Sequence, residues 1–361
     1  MKKVITKTLI AGAISTAMLA GAVQADVTLV SWGGGYSASQ QKAYIDTYNS
    51  ADVNMISYNG GLGEIRAQVE SGNVQWDIVD VFPHEARVGC DEGLFEELPR
   101  DVFLPAADGT SMDDDIMVDV PNDCVVPQIF WSYVPFHLGS TYEGEQPSTI
   151  ADFFDLEKFP GKRGIHTWGN ALIEMALYAD GVAIADVYDV MSTEAGMDRA
   201  FAKLDTIKDD VVFWSSGAKP LELVSSGEVA MSLAYNGRIG GAILSEGADF
   251  VVVWDGQVLE EEWLVMIKGT PNYAEALHFL VHASTAEQQA GQARYINYGP
   301  MRASAISILE EGEPWFHTGA TIMEHMPNTP ALMANTIVAD PVWWADNGAE
   351  AGDRFAAWMA K

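Results

Sequence analysis

Between residues 26 and 91 the same pattern occurs three times: a short β-prone apolar run, then a loop, then helix-patterned sequence. No other feature constrains the fold as strongly. The run 27–31 leads through Trp32-Gly33-Gly34-Gly35-Tyr36 into a capped helical stretch over 37–48. The run 54–58 leads through Asn59-Gly60-Gly61 into a helix over 62–70, with Gly72 just past its end. The run 76–81 is followed by Pro83 near the start of a third helix. Consecutive βα units need crossover connections, so they predict a mainly parallel sheet with helices on its faces. Ligands of such sheets sit outside the carboxyl ends of the strands. The loops carrying Trp32, Asn59 and Phe82 are therefore expected along one edge.

A second α/β unit follows. Residues 94–122 are rich in Pro, Asp and Gly and read as a surface connection. The long β-prone run 125–138, with Trp131, Tyr133 and Phe136, is suited to carry the chain from one domain into another. Strands are predicted over 163–167, 210–214, 229–235, 250–254 and 263–267. Helices are predicted over 150–154, 171–179, 195–207, 220–226 and 238–246, then 273–283 and 286–295 after Gly269-Thr270-Pro271. With 361 residues, 48% of them hydrophobic, two domains with sizeable cores are the natural expectation.

The N-terminus bears on compartment. Lys2 and Lys3 precede an apolar run over 9–22, and Val23-Gln24-Ala25 supplies small residues where a signal peptidase reads. The run is shorter than the roughly 20 residues a membrane span needs, so a signal cleaved after Ala25 is expected, with a periplasmic mature chain. The formal charge of −31 becomes −34 once the three lysines of that segment are removed. Such a surface repels a phosphate backbone, which excludes nucleic acid as a partner, and its blandest role is solubility. Cys90 and Cys124 are the two cysteines, and in an oxidising compartment the simplest reading of an even pair is a disulfide.

Catalytic motifs are thin. The chain has no Gly-x-Ser-x-Gly elbow, no phosphate loop ending in Gly-Lys-Ser/Thr and no His-Glu-x-x-His helix. Gly33-Gly34-Gly35 opens a helix without the dinucleotide spacing. His278 and His282 are one helical turn apart with no third metal ligand in evidence. Aromatic residues instead recur at strand ends: Trp32, Tyr36, Trp168, Trp214, Tyr235, Trp254, Trp263 and Tyr298. Core packing explains any one of them; together, beside Gly, Asn and acids, they suit a cleft whose rings stack on a ligand and attract a cation. Asp80 and Glu262 are candidate countercharges, while Glu260 and Glu261 read equally well as solvated surface. Arg238 and Arg302 are scarce cations able to grip a carboxylate, or else structural ion-pair partners. A hydrolase or lyase using Asp80, His84 and Glu262 is the rival from another class, and iron binding through Tyr295 and Tyr298 a third reading.

The order of these parts resembles the periplasmic solute-binding proteins of ABC importers, in the spermidine/putrescine-binding branch. The resemblance is carried by Thr28-Leu29-Val30-Ser31-Trp32, Trp76-Asp77-Ile78-Val79, Ser226-Gly227-Glu228 leading to Tyr235-Asn236-Gly237-Arg238, Trp263 with Lys268-Gly269-Thr270-Pro271-Asn272, Tyr298-Gly299-Pro300 and Trp343-Trp344-Ala345-Asp346-Asn347. It implies a two-lobe α/β fold of type II with a hinge, crossovers near 129–138 and 253–263, and no enzymatic activity, cofactor or metal. After the signal peptide 1–25, lobe 1 would comprise 26–132 plus about 264–311, and lobe 2 133–263 plus about 312–361. The implied partners are a small-molecule ligand and an inner-membrane ABC permease, with the protein itself a monomer. Trp32, Tyr36, Tyr235 and Tyr298 match ligand-facing aromatics, and His84 falls where the polyamine binders carry a ring. Trp168-Gly169-Asn170 stands where those binders place their acidic pair. The favoured ligand is an organic cation such as a diamine, held by Trp32, Trp168, Tyr235 and Trp263 with Asp80 or Glu262. The alternative is an amino-acid-like zwitterion or a carboxylate, using Arg238 or Arg302.

Overall fold

A computed structural model describes residues 26–312 and 314–361. The signal segment 1–25 expected from the sequence lies outside the described residues. The three βα units form as predicted: β1 (Val27–Ser31), β2 (Val53–Ser57) and β3 (Ile78–Val81) are parallel, in the order β2-β1-β3. Gly33 and Gly34 take φ of +73° and +58°, a left-handed turn that starts the first helix at Gly34, three residues before the predicted cap. Helices Gly63–Ser71 and Pro83–Asp91 follow the other two strands.

β4 (Val125–Leu138) is 14 residues long and runs through both halves of the sheet. Its first part pairs antiparallel with β9 (Val258–Met266), its second with β7 (Met231–Tyr235) and β8 (Phe250–Val252). β9 in turn pairs antiparallel with β3, and beyond β7 lie β5 (Arg163–His166) and β6 (Val211–Trp214), all three parallel. β10 (Gly299–Pro300) adds to β4 and β11 (Ile337–Val338) to β9. The mixed order β2-β1-β3-β9-β4-β7-β5-β6 thus joins two parallel blocks through two antiparallel strands.

Side chains of β9 alternate between the two faces of the first block. Leu264 and Met266 pack with Leu29, Ile78 and Phe279, while Trp263, Val265 and Ile267 pack with Val30, Val79 and Phe95. A separate core gathers Phe136, Leu172, Met231 and Leu233 with Trp343, Phe355 and Trp358 of the helix Pro341–Met359. That helix is begun by Asp340, whose Oδ1 accepts from the amides of Val342 and Trp343. Phe316, Ile322 and Met326 pack instead with Ala286 and Ala290. Cys90 and Cys124 are bridged, tying the end of the third helix to the start of β4. β9 begins five residues before the predicted strand at 263, because its strand is written through three glutamates that mask the apolar pattern. No helix of the described residues is long and apolar enough to cross a membrane.

Candidate functional site

A cavity of about 710 Å³ opens where the carboxyl ends of β1, β2, β3, β5, β6 and β7 converge beside the middle of β4 and β9. Of the residues expected at a binding site, Trp32, Tyr36, Trp168, Tyr235, Arg238, Glu262 and Tyr298 line it. The three loops predicted to share an edge do so: the Trp32 indole is stacked between Tyr58 and Phe82, with ring centroids 4.8 and 4.7 Å away. Trp131 packs its edge on Tyr235 at 5.2 Å, Tyr36 faces Tyr298 at 5.8 Å, and Trp168, 41% exposed, rests on His166 at 4.1 Å.

Glu262 forms one pole of this aromatic box. It is 2% exposed, and its two carboxylate oxygens accept from the indole N–H groups of Trp32 (2.6 Å) and Trp131 (3.2 Å). Beneath it, fully buried Asp80 accepts from the Tyr36 hydroxyl at 3.0 Å and from Gln40 Nε2 at 2.8 Å. Every one of these donors is neutral. Burial raises both carboxyls, Glu262 well above the usual range with the nearby Asp80 adding to it, and Asp80 to about 7. The hydrogen bonds from Gln40 and Tyr36 limit the rise at Asp80.

Arg238 forms the opposite pole. Its guanidinium lies 5.9 Å from the centre of the Tyr235 ring and makes no hydrogen bond or ion pair with any described residue. Glycines make room for it: a Cβ on Gly217 would sit 2.8 Å from its Nε, and one on Gly34 3.0 Å from its Nη1. The Tyr298 phenol lies in the field of both poles; burial pushes it up to about 12, with Arg238 pulling down and Glu262 pushing up.

Three expected site residues are not brought into this cavity. Trp263 is 0% exposed on the opposite face of β9, where its indole donates to Glu261 at 2.9 Å, because strand alternation sends residue 263 away from residue 262. Asp80 lies under the floor, behind Tyr36. His84 lines an adjoining cavity of about 220 Å³, stacked beside Phe82, and burial lowers its imidazole to about 4. The acid/base trio of Asp80, His84 and Glu262 is thus divided among three environments. Arg302, the other candidate cation, is buried in an ion pair with Asp115 at 2.6 Å and donates to the Ser284 carbonyl, so it is structural. Glu260, read from sequence as equally suited to solvent, is 8% exposed and lines the smaller cavity.

Trp214 is buried behind Tyr235, and Trp254 packs at the margin of the second core. His278 and His282 bond to Tyr48 and to the Tyr44 carbonyl, and among the described residues no group of three or more His, Cys, Asp or Glu is placed to hold a metal. Tyr295 stacks on His317 rather than joining Tyr298. Sequence reading missed Tyr58, Trp131, His166 and the turn 215–218 as lining groups. Tyr58 and His166 end their strand runs as Trp32 does; Trp131 sits mid-strand, where only the pairing of β4 with β9 brings it beside Glu262.

Residues 41–324 match the family model for bacterial extracellular solute-binding proteins. A "Gamma-aminobutyric acid-binding protein" of Pseudomonas aeruginosa is 36% identical over 351 residues, covering 96% of this chain and 95% of its own. Among solved structures, the protein MotA from A. tumefaciens B6 in complex with glucopine superimposes with a TM-score of 0.81 at 29% identity, over 93% of this chain and all of that one. A second, the "Atu4243-GABA receptor", gives 0.78 at 30% identity over 93% and 98%. The chain belongs to the bacterial extracellular solute-binding proteins, the periplasmic binding components of ABC importers, and has their fold. Members of this family bind a solute and present it to a permease without transforming it, which replaces the hydrolase or lyase alternative.

Proposed function

We propose that this protein captures a small zwitterion carrying a carboxylate at one end and an ammonium at the other, of the 4-aminobutyrate type, for import. The observation that carries this reading is the bipolar cavity: Arg238 without a partner among the described residues and Glu262 held only by neutral indoles, with aromatic rings between them. Glu262 is buried and Arg238 half-buried, and a charge withdrawn from water without a charged partner is unfavourable, so a ligand that satisfies both poles gains from each. The guanidinium fork grips the carboxylate, and the ammonium sits against Glu262 and the Tyr235 ring. The names of the P. aeruginosa relative and of the GABA receptor point the same way. This reverses the preference for a diamine expected from sequence. The diamine keeps one observation in its favour, the buried carboxyl of Asp80 beneath Glu262, which adds to the negative field at that pole.

In this reading the chain is exported by residues 1–25, cleaved after Ala25, and works as a monomer. The two lobes expected from the sequence meet at the cavity, with Trp32, Tyr58 and Phe82 on one side and Arg238 on the other. A ligand touching both sides favours the closed arrangement, which the permease then reads.

The test is calorimetric titration of the mature chain with 4-aminobutyrate, putrescine and butyrate. The expected result is binding of 4-aminobutyrate well ahead of the other two, weakened about 100-fold in Arg238→Ala. Putrescine binding more tightly, with Arg238→Ala unaffected, overturns the reading.

A further inference from the structure

The smaller cavity adjoins the larger one, and Asn59, Phe82, Trp131 and Trp168 line both. Its remaining lining is Gly60, Gly61, His84 and Asn170 with two carboxyls, Glu85 and Glu260. Glu85 is fixed there by the amides of Gly61 and Phe82, at 2.7 and 3.1 Å. Glu260 has no hydrogen-bond or ion-pair partner among the described residues, although it is more than nine-tenths buried. The charges acting on Glu260 are those of Glu174, Glu261 and Glu262, all repulsive. Behind it, Glu174 accepts from Tyr188 and Trp344 through one oxygen and leaves the other without a partner. Among the described residues no Lys or Arg lines this annex. An unpartnered buried carboxyl facing a cavity is a site prepared for a cation.

We infer that the annex receives a second ammonium group, so that the natural ligand is an amino acid whose nitrogen carries an aminoalkyl arm. This rests on the zwitterion reading above and extends it. Carboxylate, internal ammonium and terminal ammonium would then meet Arg238, Glu262 and Glu260 in turn. Glu260 and Glu262 are two residues apart on β9 and share a face, which sets their backbones roughly 6–7 Å apart and suits an arm of about three or four methylenes. The methylenes run across Phe82, Trp131 and Trp168, the rings common to both cavities.

The experiment compares three compounds on the mature protein: 4-aminobutyrate, N-propyl-4-aminobutyrate and N-(3-aminopropyl)-4-aminobutyrate. The aminopropyl compound is expected to bind at least about tenfold more tightly than its propyl counterpart, the size of one charge-assisted contact. In Glu260→Gln that ratio is expected to fall to about one. Equal or weaker binding of the aminopropyl compound by the wild-type protein overturns the inference, without relying on any variant. So does a preference that survives in Glu260→Gln. If 4-aminobutyrate binds and the arm adds nothing, only the annex assignment falls; if none of the three binds, the zwitterion reading falls with it.

Discussion

Glu262 combines deep burial with a nearby carboxyl and no cationic partner, which makes its proton the most informative single atom in the site. Burial and the neighbouring Asp80 raise its pKa well above the ordinary range. An ammonium placed against it favours the ionised form, so binding lowers that pKa and expels a proton. The sign follows from linkage: a step that releases a proton is favoured as pH rises. Affinity for 4-aminobutyrate is therefore expected to strengthen from pH 6 to 8.5, and calorimetry in two buffers of different ionisation enthalpy should read net proton release. Glu262→Gln should flatten the dependence and weaken binding about 100-fold, the loss of a buried charge-assisted contact. A flat profile in the wild-type protein would show that the ammonium does not meet this carboxyl.

The elements around the cavity are set by close approaches that leave no spare volume. At the start of the helix Asn236–Gly241, a Cβ on Gly237 would lie 2.3 Å from the Tyr298 ring. Gly237→Ala must displace that ring, which lines the cavity. Overpacking of this kind costs about 1–3 kcal/mol, so a lower melting temperature together with at least about tenfold weaker binding is expected. Unchanged affinity would mean that Tyr298 does not shape the ligand space. β9 shows why the element scale decides function: alternation puts Glu260 and Glu262 toward the cavities and Trp263 into the core, a one-residue difference that composition does not reveal.

At the scale of the whole molecule, two parallel blocks are joined through β4 and β9, and the cavity sits at their junction. If the blocks close on a ligand like a hinge, small-angle scattering of the mature chain should show a smaller radius of gyration with saturating 4-aminobutyrate than without it. The Trp residues of the cavity should change their fluorescence over the same concentration range. Identical scattering curves at full saturation would rule out closure as the signal to the permease.

The βα order, the loops carrying Trp32, Asn59 and Phe82 and the long strand over 125–138 are legible in the chain because period-2 and helical patterns and turn glycines are local signals, and the solute-binding family follows from the resemblance of those parts in their order. Their positions could be read before any pairing was known. Which charges face the cavity depends on tertiary structure. Arg238 and Arg302 look alike in the chain, yet Arg302 finds Asp115, 187 positions away, while Arg238 is left to the cavity. Glu262 reads from sequence as a candidate countercharge and Glu260 equally as surface; the long-range pairing that places β9 between β3 and β4 buries both. Burial and partnership come from residues distant in sequence, so the charge pattern of the cavity is a property of the folded molecule.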